Sequence, residues 1–242
     1  TPAQLEAVIT PKTRLFMLNS PSNPTGAAYS SAELHAFGAV LRRHPDVLIA
    51  TDDMYEHIFW AKEPFCSFLT ACPDLYDRTV TINGVSKSYA MTGWRIGYCG
   101  GPATIIDAMS TIQSQSTSNP SSIAQKAAVV ALNGDQACVA EMNQHFKARH
   151  DFFNAGLNAL PGFRVLPAAG TFYAWCDVSG AIKNLGLADD HEFAEFLLEK
   201  AMVAGVPGTG FGAPGHIRFS FAVSPQTLEK ALERMGKALA GA

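Results

Sequence analysis

The sequence predicts an α/β layer with a largely parallel sheet over residues 1–145, followed by a smaller α+β domain over residues 146–242. Three observations carry this expectation. Short apolar runs at 14–18, 47–50, 79–82 and 94–99 are separated by stretches of helical character, the pattern of strands joined by crossover helices. A long helical pattern runs from Ser121 to Leu160, interrupted near 133–135, and the domain boundary is placed inside it. After Pro161, strand-like segments at 163–166, 171–178 and 216–223 alternate with helical ones at 191–205 and 224–239.

Each element has a local reason. Thr1 and Pro2 read as an N-cap and first-turn proline of a short helix with Leu5, Val8 and Ile9 on one face. The run at 14–18 (RLFML) reads as a buried strand, and the following NSPSNPTG is a loop full of breakers. Ser30 and Glu33 form a capping box ahead of a helix bearing Leu34, Phe37 and Leu41. The runs VLIA, TVTI and WRIGYC read as further strands. In the second part, Ser224 caps a helix that has Pro225 at its first position.

Composition narrows the function classes. The chain has 242 residues, a net charge of −3 and 16% charged residues. No large basic surface for nucleic acid is implied. No apolar stretch is long enough to cross a bilayer. The five cysteines show no CxxC pair and no metal-ligand spacing, which suggests a reducing, cytoplasmic setting. The seven histidines show no metal spacing either and read as surface or packing residues.

Three candidate strands each lead into polar residues of chemical interest. The first leads to Asn19 and then Asn23, the second to Asp52, Asp53 and Tyr55, the third to Ser86 and Lys87. Ligands of open α/β sheets bind beyond the carboxyl ends of the strands, so three such loops suggest one convergent site. Each residue also has a plainer reading. The two aspartates fit a turn or a helix cap, Asn23 before Pro24 fits a turn, Tyr55 fits the core, and Lys87 fits a solvated surface. Arg218 is harder to dismiss. In HIRFSFAV, Ile217, Phe219 and Phe221 share one face while Arg218 and Ser220 share the other. An arginine in so apolar a strand needs a carboxylate, a phosphate or open solvent.

Two motif readings fail on inspection. GVSKS resembles the end of a phosphate-binding P-loop, but Ser86 stands where that motif needs glycine before its lysine. GTGFGA fits a dinucleotide pattern, but Pro214 and Gly215 follow at once, so no helix starts there to receive a pyrophosphate.

Taken together, NSPSNPTG, DDMYEHI, GVSKSYAMTGWRIGY, VPGTGFG and IRFSFA, in this order, resemble the class I aminotransferases. These are pyridoxal-phosphate enzymes of fold type I, and the likeness points to the bacterial aspartate aminotransferase branch. The resemblance covers nearly all of the chain. It implies that residues 1–145 are the C-terminal portion of the cofactor-binding large domain and residues 146–242 the small domain. It implies transamination between an L-amino acid, preferentially aspartate, and a 2-oxo acid, 2-oxoglutarate, by a homodimer.

The same resemblance assigns roles. Lys87 would hold pyridoxal phosphate as a Schiff base and then act as general base and acid. Asp52 would pair with the pyridine nitrogen, and Tyr55 and Asn23 would bond the ring's phenolic oxygen. Ser86 and Arg95 would hold the phosphate. Arg218, supported by Asn23, would grip the substrate's α-carboxylate. One departure is Gly84, where some members carry a phosphate-binding serine. Family members also have a long stretch ahead of the position of Thr1, so the chain is expected to begin midway through the large domain. Fold alone does not fix reaction. Other pyridoxal-phosphate chemistry, a β-lyase or decarboxylase, or a non-catalytic regulatory module of the same fold stays open at this stage, as do alanine, aromatic and prephenate substrates.

Overall fold

The computed structural model describes residues 1–241. They divide into two compact units. One comprises Thr1–Pro21 and Ala28–Glu141, the other Ser22–Ala27 and the described residues from Met142 onward.

The first unit runs α1 (Pro2–Val8), β1 (Leu15–Asn19), α2 (Ser31–Arg42), β2 (Leu48–Asp52), α3 (Phe68–Ala71), β3 (Thr79–Gly84), β4 (Gly97–Gly100), α4 (Ala103–Ser114) and α5 (Ser122–Asn133). The division between the units falls inside α6 (Ala137–Asn158). The strands form one sheet in the order β1-β2-β3-β4. The first three are parallel, and β4 returns antiparallel to β3.

Helix α2 starts on the expected capping box. The Ser30 hydroxyl accepts from the Glu33 amide at 3.3 Å, and the Glu33 carboxylate accepts from the Ser30 amide at 2.8 Å. Its buried Leu34, Phe37 and Leu41 pack with Leu18, Val47, Ile49 and Phe68. At its far end the Arg78 guanidinium donates to the carbonyls of Leu41 (2.7 Å), His44 (3.0 Å) and Val47 (2.6 Å). One of the helix's last carbonyls, that of Leu41, thus meets a cation, which the helix dipole also favours.

Three features of the first unit depart from the sequence expectation, the first being β1, expected as buried, of which only Leu18 is buried while Leu15 and Met17 are exposed. The strand expected at 94–99 is shorter and later, because Thr92–Trp94 forms a 3-10 turn and Arg95 takes a left-handed φ of 51°. That reversal lets Gly97–Gly100 run back along β3. Helix α4 was not singled out by its pattern, and none of its residues is buried.

The second unit completes α6 and adds β5 (Arg164–Val165), β6 (Tyr173–Asp177), α7 (Ser179–Leu185), α8 (Asp190–Phe196), β7 (Val206–Pro207), β8 (His216–Ser220) and α9 (Pro225–Ala240). Its strands form an antiparallel sheet in the order β5-β6-β8-β7. Phe153, Leu157, Phe193, Leu197, Ile217, Phe219 and Phe221 are fully or almost fully buried. The alternation expected for 216–223 is observed over His216–Ser220, where the strand ends: Ile217 and Phe219 point inward, and Arg218 between them is half-buried. The Ser224 hydroxyl caps α9 by accepting from the Thr227 amide. The expected helix at 191–205 ends earlier, in a π turn at Leu197–Ala201.

Among the described residues no helix is long and apolar enough to cross a membrane, and no group of three or more His, Cys, Asp or Glu could hold a metal ion. All five cysteines are unpaired.

The capping box predicts a measurable cost. Ser30→Ala should lower the stability of the first unit by about 1 kcal/mol, and Ser30→Gly by only a few tenths. Urea denaturation of the two variants checks this; equal stability of Ser30→Ala and the parent would make the box decorative.

Candidate functional site

In the first unit the expected polar strand ends meet along one edge of the sheet. Asn19 pairs with Asp52, and Asp52 with Ile82. The Asn19 side-chain amide donates to the Asp52 carbonyl at 3.0 Å, the Ser20 amide donates to the same oxygen at 3.3 Å, and the Asp53 amide donates to the Ile82 carbonyl at 2.9 Å. The Asp52 carboxylate, half-buried, accepts from the Met54 amide at 3.1 Å. The turn reading of this aspartate is therefore realised in part, and one carboxylate oxygen has no protein partner among the described residues. Tyr55 is buried at the next bend.

Lys87 lies on the turn that leaves β3. Val85 and Ser88 are buried and anchor this turn, with Val85 packed against Ile96, Ala124 and Ala128. Ser86 and Lys87 stay half-exposed between them. The Ser88 hydroxyl is buried without a hydrogen-bond partner among the described residues. Gly84 lies against the returning strand, where a Cβ would come within 3.2 Å of the Gly97 Cα and 3.3 Å of the Ile96 carbonyl. Glycine at this position is thus explained by the close approach of β4. Arg95 is exposed, and its guanidinium donates to the Thr92 carbonyl at 2.8 Å.

The electrostatics of this edge centre on Asp53, which the sequence places with Asp52 at a turn or helix cap. It is buried. Burial first, and the nearby Glu56 carboxylate second, push its pKa up to about 7, against a smaller opposing contact with the Thr51 hydroxyl. Asn83 on β3 is buried, and its side-chain amide donates to the Glu56 carboxylate at 2.6 Å.

In the second unit the structure brings Asn23 and Arg218 together, the two residues expected to share a carboxylate. Arg218 Nη1 donates to Asn23 Oδ1 at 2.7 Å. The guanidinium carbon lies 4.4 Å from the centre of the Tyr173 ring and 5.0 Å from that of Phe211. No carboxylate pairs with Arg218 among the described residues. The cation is thus held by an amide oxygen and two aromatic rings.

These rings were not found from the sequence. Tyr173 lies on β6, whose Trp175 pairs with Arg218 across the strands. Phe211 lies on the turn Gly208–Phe211, which is pinned by Asp190. That carboxylate is fully buried and accepts the Thr209 amide at 2.7 Å and the Thr209 hydroxyl at 2.6 Å. The GTGFGA segment therefore serves as an aromatic support rather than a nucleotide cradle. Alternation in β8 was the available signal for Arg218; long-range contacts to its rings left none.

The family model for aminotransferase class I and II matches residues 1–235. An aspartate/prephenate aminotransferase from Nitrosomonas europaea is 56% identical over 245 residues, covering 99% of this chain and 62% of that protein. An aspartate aminotransferase from Rhizobium meliloti is 47% identical, covering 98% of this chain and 59% of the relative. The crystal structure of an aspartate aminotransferase from Rhizobium meliloti matches with a TM-score of 0.92, covering 99% of this chain and 61% of that one. An aromatic aminotransferase from Pyrococcus horikoshii matches at 33% identity with a TM-score of 0.91, covering 100% of this chain and 64% of that one. The chain spans roughly six-tenths of the length of these relatives.

Asp53 provides a test of this edge. Its folded pKa lies above the ordinary carboxylate value of 3.8, so the folded state holds the proton more tightly than the unfolded chain. The stability this gives is complete below about pH 4 and is lost as pH rises through about 7. Asp53→Asn mimics the protonated acid. Its stability relative to the parent should be near zero at pH 4 and should rise by pH 8 to a gain on the order of 2–4 kcal/mol. Urea denaturation at the two pH values checks this; a gain independent of pH would mean that Asp53 ionises as freely when folded as when unfolded.

Proposed function

The chain belongs to the class I and II aminotransferase family, and from that premise we propose that the whole protein exchanges an amino group between an L-amino acid and a 2-oxo acid with pyridoxal phosphate as cofactor. The observation that carries the reading is Arg218. A planar guanidinium on an otherwise apolar strand, oriented by Asn23 and two rings and left without a carboxylate of its own, suits the α-carboxylate common to every amino-acid and oxo-acid substrate.

The residues fit the cofactor by their chemistry. A carboxylate with an unpartnered oxygen at Asp52, a half-exposed amine at Lys87, a phenol at Tyr55, a hydroxyl at Ser86 and an exposed guanidinium at Arg95 are the groups that a phosphorylated pyridine aldehyde calls for. Pyridoxal phosphate, when bound, supplies an electron sink for the electrons left on the substrate's α-carbon. Lys87 Nζ would attach it and would then take the α-proton and return a proton as acid. Asp52 would hold a proton on the pyridine nitrogen by its negative charge. Tyr55 and Asn23 would hydrogen-bond the phenolic oxygen, and Ser86 and Arg95 would hold the phosphate. The Asn23 oxygen is already given to Arg218, so its amide nitrogen is the group it offers as donor.

Aspartate with 2-oxoglutarate is the proposed substrate pair. For aspartate its support is the names of the similar proteins, aspartate aminotransferase and aspartate/prephenate aminotransferase; 2-oxoglutarate rests on the resemblance alone. On this reading residues 1–145 are the C-terminal portion of the cofactor domain and residues 146–242 the small domain, in a cytoplasmic homodimer.

The cofactor assignment is tested by incubating the whole protein with pyridoxal phosphate, reducing with borohydride and mapping the labelled peptide. The label should sit on Lys87, and stoichiometric label on another lysine would sink the assignment. Arg218→Leu should weaken all amino-acid and oxo-acid substrates alike by about 10- to 150-fold, the loss of one charged hydrogen-bonded partner. A loss confined to dicarboxylic substrates, measured as KM across a substrate series, would place Arg218 at a side-chain carboxylate instead.

A further inference from the structure

His150, on α6 in the second unit, is buried, with 4% of its surface exposed. Its Nε2 lies 2.9 Å from the backbone nitrogen of Ala168 and 3.0 Å from the Asn154 side-chain amide. A backbone N–H can only donate, so Nε2 must accept. The ring proton then sits on Nδ1, where the Asp151 carboxylate lies 2.9 Å away and accepts it. The carboxylate sets the tautomer, and the tautomer presents an acceptor to Ala168.

Ala168 opens a loop with two duties. The amides of Ala169 and Gly170 both donate to the Gly26 carbonyl, at 2.9 and 3.1 Å. The Gly26 amide donates to the Ser22 carbonyl at 2.7 Å, closing the turn that presents Asn23. Gly26 has a φ of 68°, and a Cβ there would come within 2.7 Å of the Gly170 carbonyl. The two backbones therefore lie as close as glycine allows. Two residues on from Ala169, Thr171 is fully buried at a left-handed φ of 68°, a strained state for a β-branched residue. The loop then delivers Tyr173, whose ring supports Arg218. One loop thus carries both Tyr173 and, through Gly26, Asn23. A strained loop keeps such a conformation only where the surroundings fix it, and His150 fixes its first amide from α6.

We propose that His150 is a positioning residue for anion binding at Arg218. It acts through Ala168 and Gly26 to hold Asn23 and Tyr173 on the guanidinium, and it touches no ligand. The proposal rests on the reading of Arg218 as a carboxylate site, and the experiment separates the two.

The test uses the whole protein with pyridoxal phosphate and succinate, a dicarboxylate that cannot react. Succinate affinity is measured by calorimetry, and amide hydrogen exchange is followed without succinate in peptides covering 22–27 and 166–173. His150→Phe keeps the volume but removes the acceptor. It should weaken succinate about tenfold, the scale of one buried hydrogen bond, and should speed exchange in both peptides. His150→Gln restores an acceptor and should bind succinate within about twofold of the parent. Should His150→Phe fail to fold, Asp151→Ala at an exposed position removes the group that sets the tautomer. It should speed exchange at Ala168 and weaken succinate about threefold. Parent-like affinity or parent-like exchange in His150→Phe, or in Asp151→Ala where that variant replaces it, overturns the positioning role. Equal weakening in His150→Phe and His150→Gln also overturns it, because packing rather than the acceptor would then matter. A parent that fails to bind succinate, or an Arg218→Leu variant that binds it as the parent does, overturns the carboxylate reading instead.

Discussion

The first unit depends on the parallel register of β2 with its two neighbours. Asn19, Asp52 and Ile82 lie at one level, and the backbone around Asp52 is tied on both sides. Two donors converge on the Asp52 carbonyl, one from a side chain and one from the next residue of β1's exit, while the Asp53 amide is taken by β3. Slipping this pairing by one residue would exchange the faces of every side chain in β2. Ile49 and Thr51 would leave the buried side, and the two aspartates would trade places. The fate of two adjacent carboxylates is thus decided by pleat. Asp53 turns inward, where burial and Glu56 favour its neutral form, and Asp52 is left at the edge on a turn of its own making.

The second unit solves a different problem, that of keeping a cation ready on an apolar strand. A carboxylate partner would satisfy Arg218 but would also compete with any anionic ligand. The structure instead surrounds the guanidinium with an amide oxygen and two ring faces. Such contacts orient the fork, each worth about 0.5–2 kcal/mol, without cancelling its charge. Their cost falls on the supporting elements. Phe211 is held by the Thr209 turn on the buried Asp190, and Tyr173 follows a left-handed threonine.

What could be seen in the sequence was what leaves a local trace. The apolar runs gave the sheets, the capping box at Ser30 gave the start of α2, and alternation in HIRFSFAV gave the half-buried face of Arg218. What escaped was held by distant partners. Residues 22–27 cluster with the second unit because Gly26 is bound by Ala169 and Gly170, far along the chain. His150 reads as one more polar residue in a long helix until Ala168 is placed on it. Helix α4 buries nothing, so its pattern carries little contrast. The strand at 94–99 misled because an apolar run does not reveal a left-handed residue in its middle.

That left-handed residue and Thr171 share a logic. Arg95 has a φ of 51° and Thr171 one of 68°, and neither is glycine. Each sits just before a segment that must be re-aimed. Arg95 turns the chain so that β4 can return along β3 and close on Gly84. Thr171 turns it so that β6 can start with Tyr173 under Arg218. Glycine would relieve the strain, a matter of roughly 1–2 kcal/mol at each position. It would also remove a guanidinium in the first case. In the second it would remove a hydroxyl that accepts from the Tyr173 amide at 3.3 Å. The strain in each unit therefore accompanies a side chain that the local geometry uses.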